Sequence, residues 1–436
     1  MSTQASPRPR PSFLLVLLAL LALLLPPAGQ RPPADLDREL SALTAGQRFD
    51  LTAWEAAAVS SKLMDLAFNP ARGLSAAQQT ALVRQYLQVA QRIAQLERQI
   101  EAIYSDPAQS NPDAASQPLR DELERRRRWA DRHTRGVEAV LERQLTRVLA
   151  GVGLDTAGLV WPPPRLRLTE PPQLLVVSPR ERIERLRTVN LLPELTVEQR
   201  QQIEQAVAER LGLAAYVTPI GGYGAWPTMV VDRFGLPWTV ETIAHEWVHN
   251  YLAFRPLGWA YLRGGEAVTI NESVASLAGE ELGRALMAIY YPDLLPPPPD
   301  PRPAPPPASG EPPAFDFNRE MRTTRQVVDR LLAHGYVEEA EAYMEARRQR
   351  FVANGYPLRV LNQAYFAFHG SYATGPAATD PIGPKVRRLR DLSPSLADFL
   401  RTASTVTTAA ELDAALERLE RAGCPEGCRL SQGWQP

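Results

Sequence analysis

Two histidines four residues apart, with a glutamate after the first, narrow what this chain can fold into: His245-Glu246-Trp247-Val248-His249. Side chains at i and i+4 share one face of a helix, so the segment must be helical for both imidazoles to reach one point. There they can bind a single Zn²⁺, with Glu246 placed to act on a water beside the metal. A catalytic zinc takes three protein ligands, so another element must bring the third. Only 5 histidines occur in 436 residues, which makes a chance pairing of this pattern improbable.

The surroundings suit such a helix. Thr239 is the expected N-cap, and Ile243, Trp247 and Val248 supply an apolar side. Upstream, Leu174–Val177, Ala214–Val217 and Thr228–Val231 read as short strands, with Thr196–Leu211 as a helix and Gly221-Gly222-Tyr223-Gly224 as a turn. The strand at 228–231 is expected to border the cleft and pair with extended substrate. Tyr223, Trp226 and Trp238 are candidates to line that cleft.

For the third ligand the downstream acids are Glu266, Glu272, Glu280 and Glu281. Glu272, in Asn271-Glu272-Ser273, opens a helix after the Gly264-Gly265 turn and is the choice made here. Glu280 lies two turns on and is expected to support the ligands from behind.

His-Glu-x-x-His followed by Asn-Glu on a second helix resembles the gluzincin metallopeptidases, the group of thermolysin-like proteases and zinc aminopeptidases. The likeness covers about residues 221–282. It implies that His245, His249 and Glu272 bind one zinc and that Glu246 is the general base for peptide hydrolysis. In thermolysin-like enzymes an aspartate follows the ligand glutamate by four residues; here that position is Ser276, so support for a histidine must come from elsewhere. The resemblance also implies an oxyanion-stabilising Tyr or His from the C-terminal part. His369 and Tyr372 are the candidates, with Tyr365 nearby.

Before the catalytic region the chain is helical. Leu82, Tyr86, Val89, Ile93, Leu96, Ile100 and Ile103 alternate steps of four and three, a heptad seam. Proline and asparagine break it between Ser105 and Pro118. A second helix is expected from Leu119 to Ala150, with Val137, Leu141, Leu145 and Val148 on one side. The two predict an antiparallel, coiled-coil-like hairpin over 36–155. Arg125–Arg128 spread around that helix and read as a solvated face pairing with Glu122 and Glu124.

The ends carry further signals. Arg8 and Arg10 precede an apolar run from Phe13 to Leu25, which marks 1–29 as a signal peptide or an N-terminal membrane anchor. Either places the remainder outside the cytoplasm, secreted or held at the outer face of the cell membrane. Residues 294–313 are dense in proline and read as a disordered insertion. Cys424 and Cys428 could close a small disulfide loop or remain idle thiols. A net charge of −1 gives no argument for nucleic acid.

The expected architecture is α+β and predominantly helical. It has the hairpin, then a zincin-type catalytic domain over 161–436 with a small sheet, an active-site helix and a helical C-terminal lobe. The expected function is an extracytoplasmic zinc metallopeptidase acting on peptides or proteins. The competing expectation is a membrane-tethered helical scaffold that self-associates through the hairpin and carries a degenerate zincin fold. A zinc hydrolase acting on another bond is a third.

Overall fold

A computed structural model describes residues 34–68, 70–295, 315–372, 375, 377, 378 and 381–422. The leader at 1–29, nearly all of the proline-rich stretch, and Cys424 and Cys428 lie outside them. The chain forms two compact units that meet in sequence at Ser41 and Ala42. Helix α1 (Ala34–Leu43) spans that junction; everything below concerns the main unit. It is predominantly helical with small sheets. No helix among the described residues is long and apolar enough to cross a membrane.

Helix α2 (Leu51–Phe68) precedes the expected hairpin. Helix α3 (Ala76–Ser105) starts at a capping box, where Ser75 Oγ accepts from Gln78 N and the Gln78 side chain accepts from Ser75 N. Helix α4 (Pro112–Gly151) begins a full two turns before the expected Leu119. Asn111 caps it and Pro112 sits in its first turn, which is where proline is best tolerated. Pro118 is therefore inside the helix, where it removes one hydrogen bond from a helix of 40 residues.

The seam is only partly the expected one. Tyr86, Val89 and Leu96 are buried, but Leu82, Ile93, Ile100 and Ile103 are half-covered, while Val83, Leu87, Ala90 and Ala94 are buried as well. A narrow two-helix seam would bury only the heptad positions. Here the stripe is wider because one hydrophobic core runs from α3 and α4 into the region after the hairpin, joining Val137, Leu141 and Leu145 to Leu166, Val240 and Ile270. Arg92–Glu122 (2.9 Å) and Arg127–Glu97 (2.8 Å) bridge the two helices at the surface. Arg126–Glu122 and Arg128–Glu124 pair along α4, as expected of a solvated face.

Beyond α4, strands β1 (Asp155–Thr156) and β2 (Leu159–Val160) make a small hairpin. Strands β3 (Leu166–Leu168), β4 (Gln173–Ser178), β5 (Arg187–Leu191), β6 (Ala214–Thr218), β7 (Gly222–Tyr223) and β8 (Thr228–Val230) form two three-stranded sheets, ordered β5-β4-β6 and β3-β8-β7. Helix α5 (Val197–Leu211) joins β5 to β6 from a Thr196 capping box to Gly212, whose φ of 65° ends it. Strand β8 is central: it pairs in parallel with β3 and antiparallel with β7. It therefore offers no free edge for substrate, which corrects the expectation for 228–231; the edge strand of that sheet is β7.

The other edge, β3, is closed by the hairpin. Leu166 N donates to Glu142 Oε1 (3.0 Å) and Leu168 N donates to Glu138 Oε1 (3.0 Å), both from α4. Lys62 Nζ lies 2.8 Å from each glutamate, and Arg167 Nη1 is 2.7 Å from Glu138. These carboxylates are buried, so their charge is tolerable only with the lysine and arginine in place; removing one partner of such a cluster typically costs about 3–5 kcal/mol.

The chain continues with α6 (Leu236–Leu252), α7 (Pro256–Tyr261), α8 (Glu266–Tyr290) and a 3₁₀ turn at Pro292–Leu294. Then come α9 (Phe317–Ala333), α10 (Val337–Ala353), α11 (Gln363–His369), α12 (Ile382–Leu392), α13 (Leu396–Ala403) and α14 (Ala409–Ala422). Helices α9–α11 share a core of Met321, Val328, Met344, Phe351, Tyr365 and Phe366. Helices α12–α14 pack into the main core through Val386, Leu389, Phe399 and Leu412.

Candidate metal centre

Helix α6 starts at Gly235, not at Thr239. Gly235 has φ 92°, the region glycine alone adopts freely, and Pro237 falls in the first turn. Thr239 is inside the helix, where its hydroxyl donates back to Gly235 O (2.8 Å). Ile243, Trp247 and Val248 are buried, as the apolar pattern requires. Trp247 Nε1 donates to Pro162 O (2.9 Å), and Asn250 Nδ2 to Ala225 O and Thr228 Oγ1, so the helix is tied to the sheet below it.

Helix α8 runs beside α6 at close range. A Cβ on Gly279 would stand 2.9 Å from the N, Cα and Cβ of His245, and one on Gly283 would stand 2.9 Å from Glu241 Cα. These two glycines let the helix backbones approach. Glu272, two turns before Gly279 on the same face, then reaches the histidines.

His245, His249 and Glu272 converge, with one ligand atom from each lying within 4.8 Å of the others. The two Nε2 atoms are 3.0 Å apart. Glu272 Oε2 is 3.6 Å from His245 Nε2 and 3.5 Å from His249 Nε2. His249 Nδ1 is 2.7 Å from Asn271 Oδ1, an acceptor, so Nδ1 carries a proton and the neutral ring would present its lone pair at Nε2. Asn271 thus gives the histidine the support that Ser276 does not. Glu272 Oε1 accepts from Tyr261 OH (3.0 Å), while Oε2 is buried with no hydrogen-bond partner.

Lone pairs and a buried carboxylate oxygen aimed at one point call for a cation. The electrostatics agree. Burial works against an imidazolium at His249, yet the Glu272 carboxylate outweighs it and lifts the ring to about 9. Burial likewise opposes the charge on Glu272, but the two histidines hold it well below the usual carboxylate range. These three residues could hold a metal ion, and a two-nitrogen, one-carboxylate set fits a catalytic divalent site with coordination positions left for other ligands.

Glu246 is buried beside this set. Its carboxylate lies over the β7 segment: a Cβ on Gly222 would stand 2.4 Å from Oε1, and one on Gly224 3.5 Å from Oε2. Burial raises its pKa, the two histidines oppose that, and Glu272 adds to it. A carboxyl in this environment is suited to take up and release a proton.

The remaining expected residues divide. Tyr372 comes to the site: its ring is 6.5 Å from His245, and burial followed by the charges of Glu272 and Tyr261 holds its phenol in the protonated form. His369 lies elsewhere, between Tyr365 (4.2 Å) and Tyr216 (5.8 Å), with burial lowering it to about 4. His369 is in the last turn of α11, facing Tyr216 of β6, whereas Tyr372 lies beyond the end of that helix. Glu280 does not support the ligands; it is exposed and pairs with Arg284 (2.6 Å), because its position on α8 faces solvent. Glu266 accepts from Ala409 N and Glu281 pairs with Arg390, which leaves Glu272 as the acid at the histidines.

Tyr223 OH accepts from Asn190 Nδ2, Trp226 Nε1 donates to Pro163 O, and the Trp238 ring lies against Gly221. The sequence reading missed Tyr261, Arg185, Gly279 and the glycine cradle of Gly222 and Gly224. Adjacency to Glu272 was a usable signal for Asn271, and the glycine run for the cradle. Nothing in the sequence pointed to Tyr261 or Arg185.

No protein-family model matches the chain, and no curated protein or solved structure shows significant similarity to it.

Proposed function

We propose that this protein is a zinc-dependent peptidase, gluzincin-like in its ligand set, working outside the cytoplasm. One observation carries the proposal. Two histidine Nε2 atoms and an unpartnered buried oxygen of Glu272 converge, while a further buried carboxylate, Glu246, stands beside them outside the ligand set. A purely structural metal site has no use for that fourth group.

Zinc held by His245, His249 and Glu272 would supply Lewis acidity, lowering the pKa of a water and polarising a carbonyl. The chain does the rest. Asn271 and Tyr261 hold His249 and Glu272 in orientation. Glu246 accepts the proton from the attacking water and returns it to the leaving amine. Tyr372, kept protonated, is the donor placed to stabilise negative charge on the carbonyl oxygen. Strand β7 is the edge beside Glu246, where Gly222 lets the carboxylate lie against the strand, and an edge strand suits pairing with an extended peptide.

The scaffold alternative drew on the heptad seam. Of that seam Tyr86, Val89 and Leu96 are buried within the chain itself and need no second chain to cover them, while Leu82, Ile93, Ile100 and Ile103 are half-covered. The test is zinc per chain together with cleavage of a peptide library by wild type and Glu246→Gln. Stoichiometric zinc, with cleavage lost and zinc retained in the variant, is expected. Absence of zinc affinity in the purified protein would end the proposal.

A further inference from the structure

Arg185, just before β5, is the charged group near the centre that the mechanism leaves unused. It is half-buried. Its Nη2 donates to Ser371 Oγ (2.9 Å) and its Nη1 reaches Tyr261 OH (3.5 Å). Its Nε is buried without an acceptor among the described residues. The Phe368 ring centre lies 5.8 Å from its Cζ.

Several partly covered arginines in this chain are matched by carboxylates, among them Arg180 with Glu341 (2.6 Å), Arg359 with Glu204 (2.5 Å) and Arg390 with Glu281 (2.8 Å), whereas Arg255 is held by the carbonyl and ring of Tyr251. Arg185 has no carboxylate at ion-pair distance among the described residues; its partners are two hydroxyls. Both hydroxyls already give their protons away, Tyr261 to Glu272 Oε1 (3.0 Å) and Ser371 to Phe368 O (2.7 Å). They can only accept from the guanidinium, which leaves its charge uncancelled. A guanidinium does not escape by losing its proton.

The charges at the site make the mismatch plain. Glu246 and Glu272 bring two negative charges, and a divalent cation would cancel both. Arg185 then remains as a surplus positive charge in a partly desolvated place, an arrangement that favours an anionic ligand. The guanidinium sits one phenol, Tyr261, beyond the ligand Glu272. Each residue of an extended peptide spans roughly 3.5 Å. A carboxylate seated on Arg185 is therefore about one or two residues from a carbonyl at the ligand set.

We propose that Arg185 is the receptor for a substrate carboxylate, and that this carboxylate is the free C-terminus of a peptide, so that the centre trims chains from their C-terminal end. This rests on the peptidase proposal above and assigns its substrate class. An aspartate or glutamate side chain carries the same chemistry and is the alternative source.

The test measures binding, not turnover. Zinc-loaded Glu246→Gln protein is titrated by calorimetry with three probes: N-acetyl-trialanine as the free acid, the same peptide as its C-terminal amide, and the amide with aspartate at the last position. The free acid is expected to bind at least 30-fold more tightly than either amide. Adding Arg185→Met should remove that difference, whereas Arg185→Lys should keep part of it. Equal affinity for acid and plain amide, or no binding of any probe, overturns the proposal. So does an acid preference that survives Arg185→Met. An aspartyl amide that matches the free acid overturns the assignment to the chain end. Should Arg185→Met fail to fold, a reduced acid preference in Arg185→Lys carries the assignment, and an unchanged one overturns it. Failure of the peptidase proposal would look different: wild type with zinc cleaves no peptide, whatever the three affinities are.

Discussion

Gly279→Ala places one methyl group where α8 meets the backbone of α6. The new Cβ would stand 2.9 Å from three atoms of His245: N, Cα and Cβ. Carbon atoms in contact prefer about 3.5–4.0 Å, so the helices must separate by roughly 0.6–1 Å. No side-chain rotation can relieve the clash, because two of the three atoms are backbone. Overpacking of this kind costs about 1–3 kcal/mol. Alanine returns up to about 1 kcal/mol of helix propensity. The net loss of about 0–2 kcal/mol makes thermal stability a blunt measure. The metal site is a sharper one, since ligand distances tolerate only about 0.2 Å and the separation acts between His245 and the helix that bears Glu272. Zinc affinity is expected to fall at least about 10-fold, the scale seen when ligand orientation is disturbed. Competition with a chromophoric chelator measures it, with Ser276→Ala on the same helix as the control. Wild-type zinc affinity in Gly279→Ala would refute the claim that close helix approach builds the site.

Asn271→Ala removes the acceptor at 2.7 Å from His249 Nδ1 and should weaken zinc binding about 10–100-fold with little change in the fold, read by the same competition and by circular dichroism. Gly222→Ala sets a methyl 2.4 Å from Glu246 Oε1, so peptide cleavage should drop by more than about 10-fold while zinc affinity stays within about 3-fold; equal losses of both would count against a separate role for Glu246. In chelator-treated protein, His249 titrates near 9 when folded and near its ordinary 6.5 when unfolded, so its pairing with Glu272 stabilises fully below about 6.5 and the gain is lost as pH rises through 9. Glu272, held low by the same pair, contributes above its ordinary 4.5 and loses that contribution as the solution is acidified. The melting temperature should therefore decline between pH 6.5 and 9, and His249→Gln should flatten the decline; a steeper decline in the variant would contradict the pairing.

The local rules of helix and strand carried the sequence reading a long way. The i, i+4 spacing of His245 and His249 forces their shared face once the segment is helical, and the apolar side of Ile243, Trp247 and Val248 is buried as that spacing demands. All four candidate acids, Glu266, Glu272, Glu280 and Glu281, stand on α8, and Glu272 is the one whose place on that helix faces α6 and the histidines. The helical hairpin is legible from its periodicity, but periodicity marks neither the cap at Asn111 nor the passage of the helix through Pro118. Boundaries of this kind depend on single capping residues, and Gly235 in place of Thr239 repeats the lesson.

What the sequence alone determined is the set of groups able to meet at a cation and the helix that presents two of them, since both follow from covalent spacing along one element. Tertiary structure decided everything that needs two distant segments at one point. It chose Tyr372 over His369, made β8 a central strand and β7 the edge, closed β3 with Glu138 and Glu142 of the hairpin, and set Tyr261 and Arg185 beside Glu272. No local pattern encodes such meetings. They arise from how helices and sheets pack to bury one shared core, and from where a missing Cβ, as at Gly279 and Gly222, lets backbone and carboxylate come close.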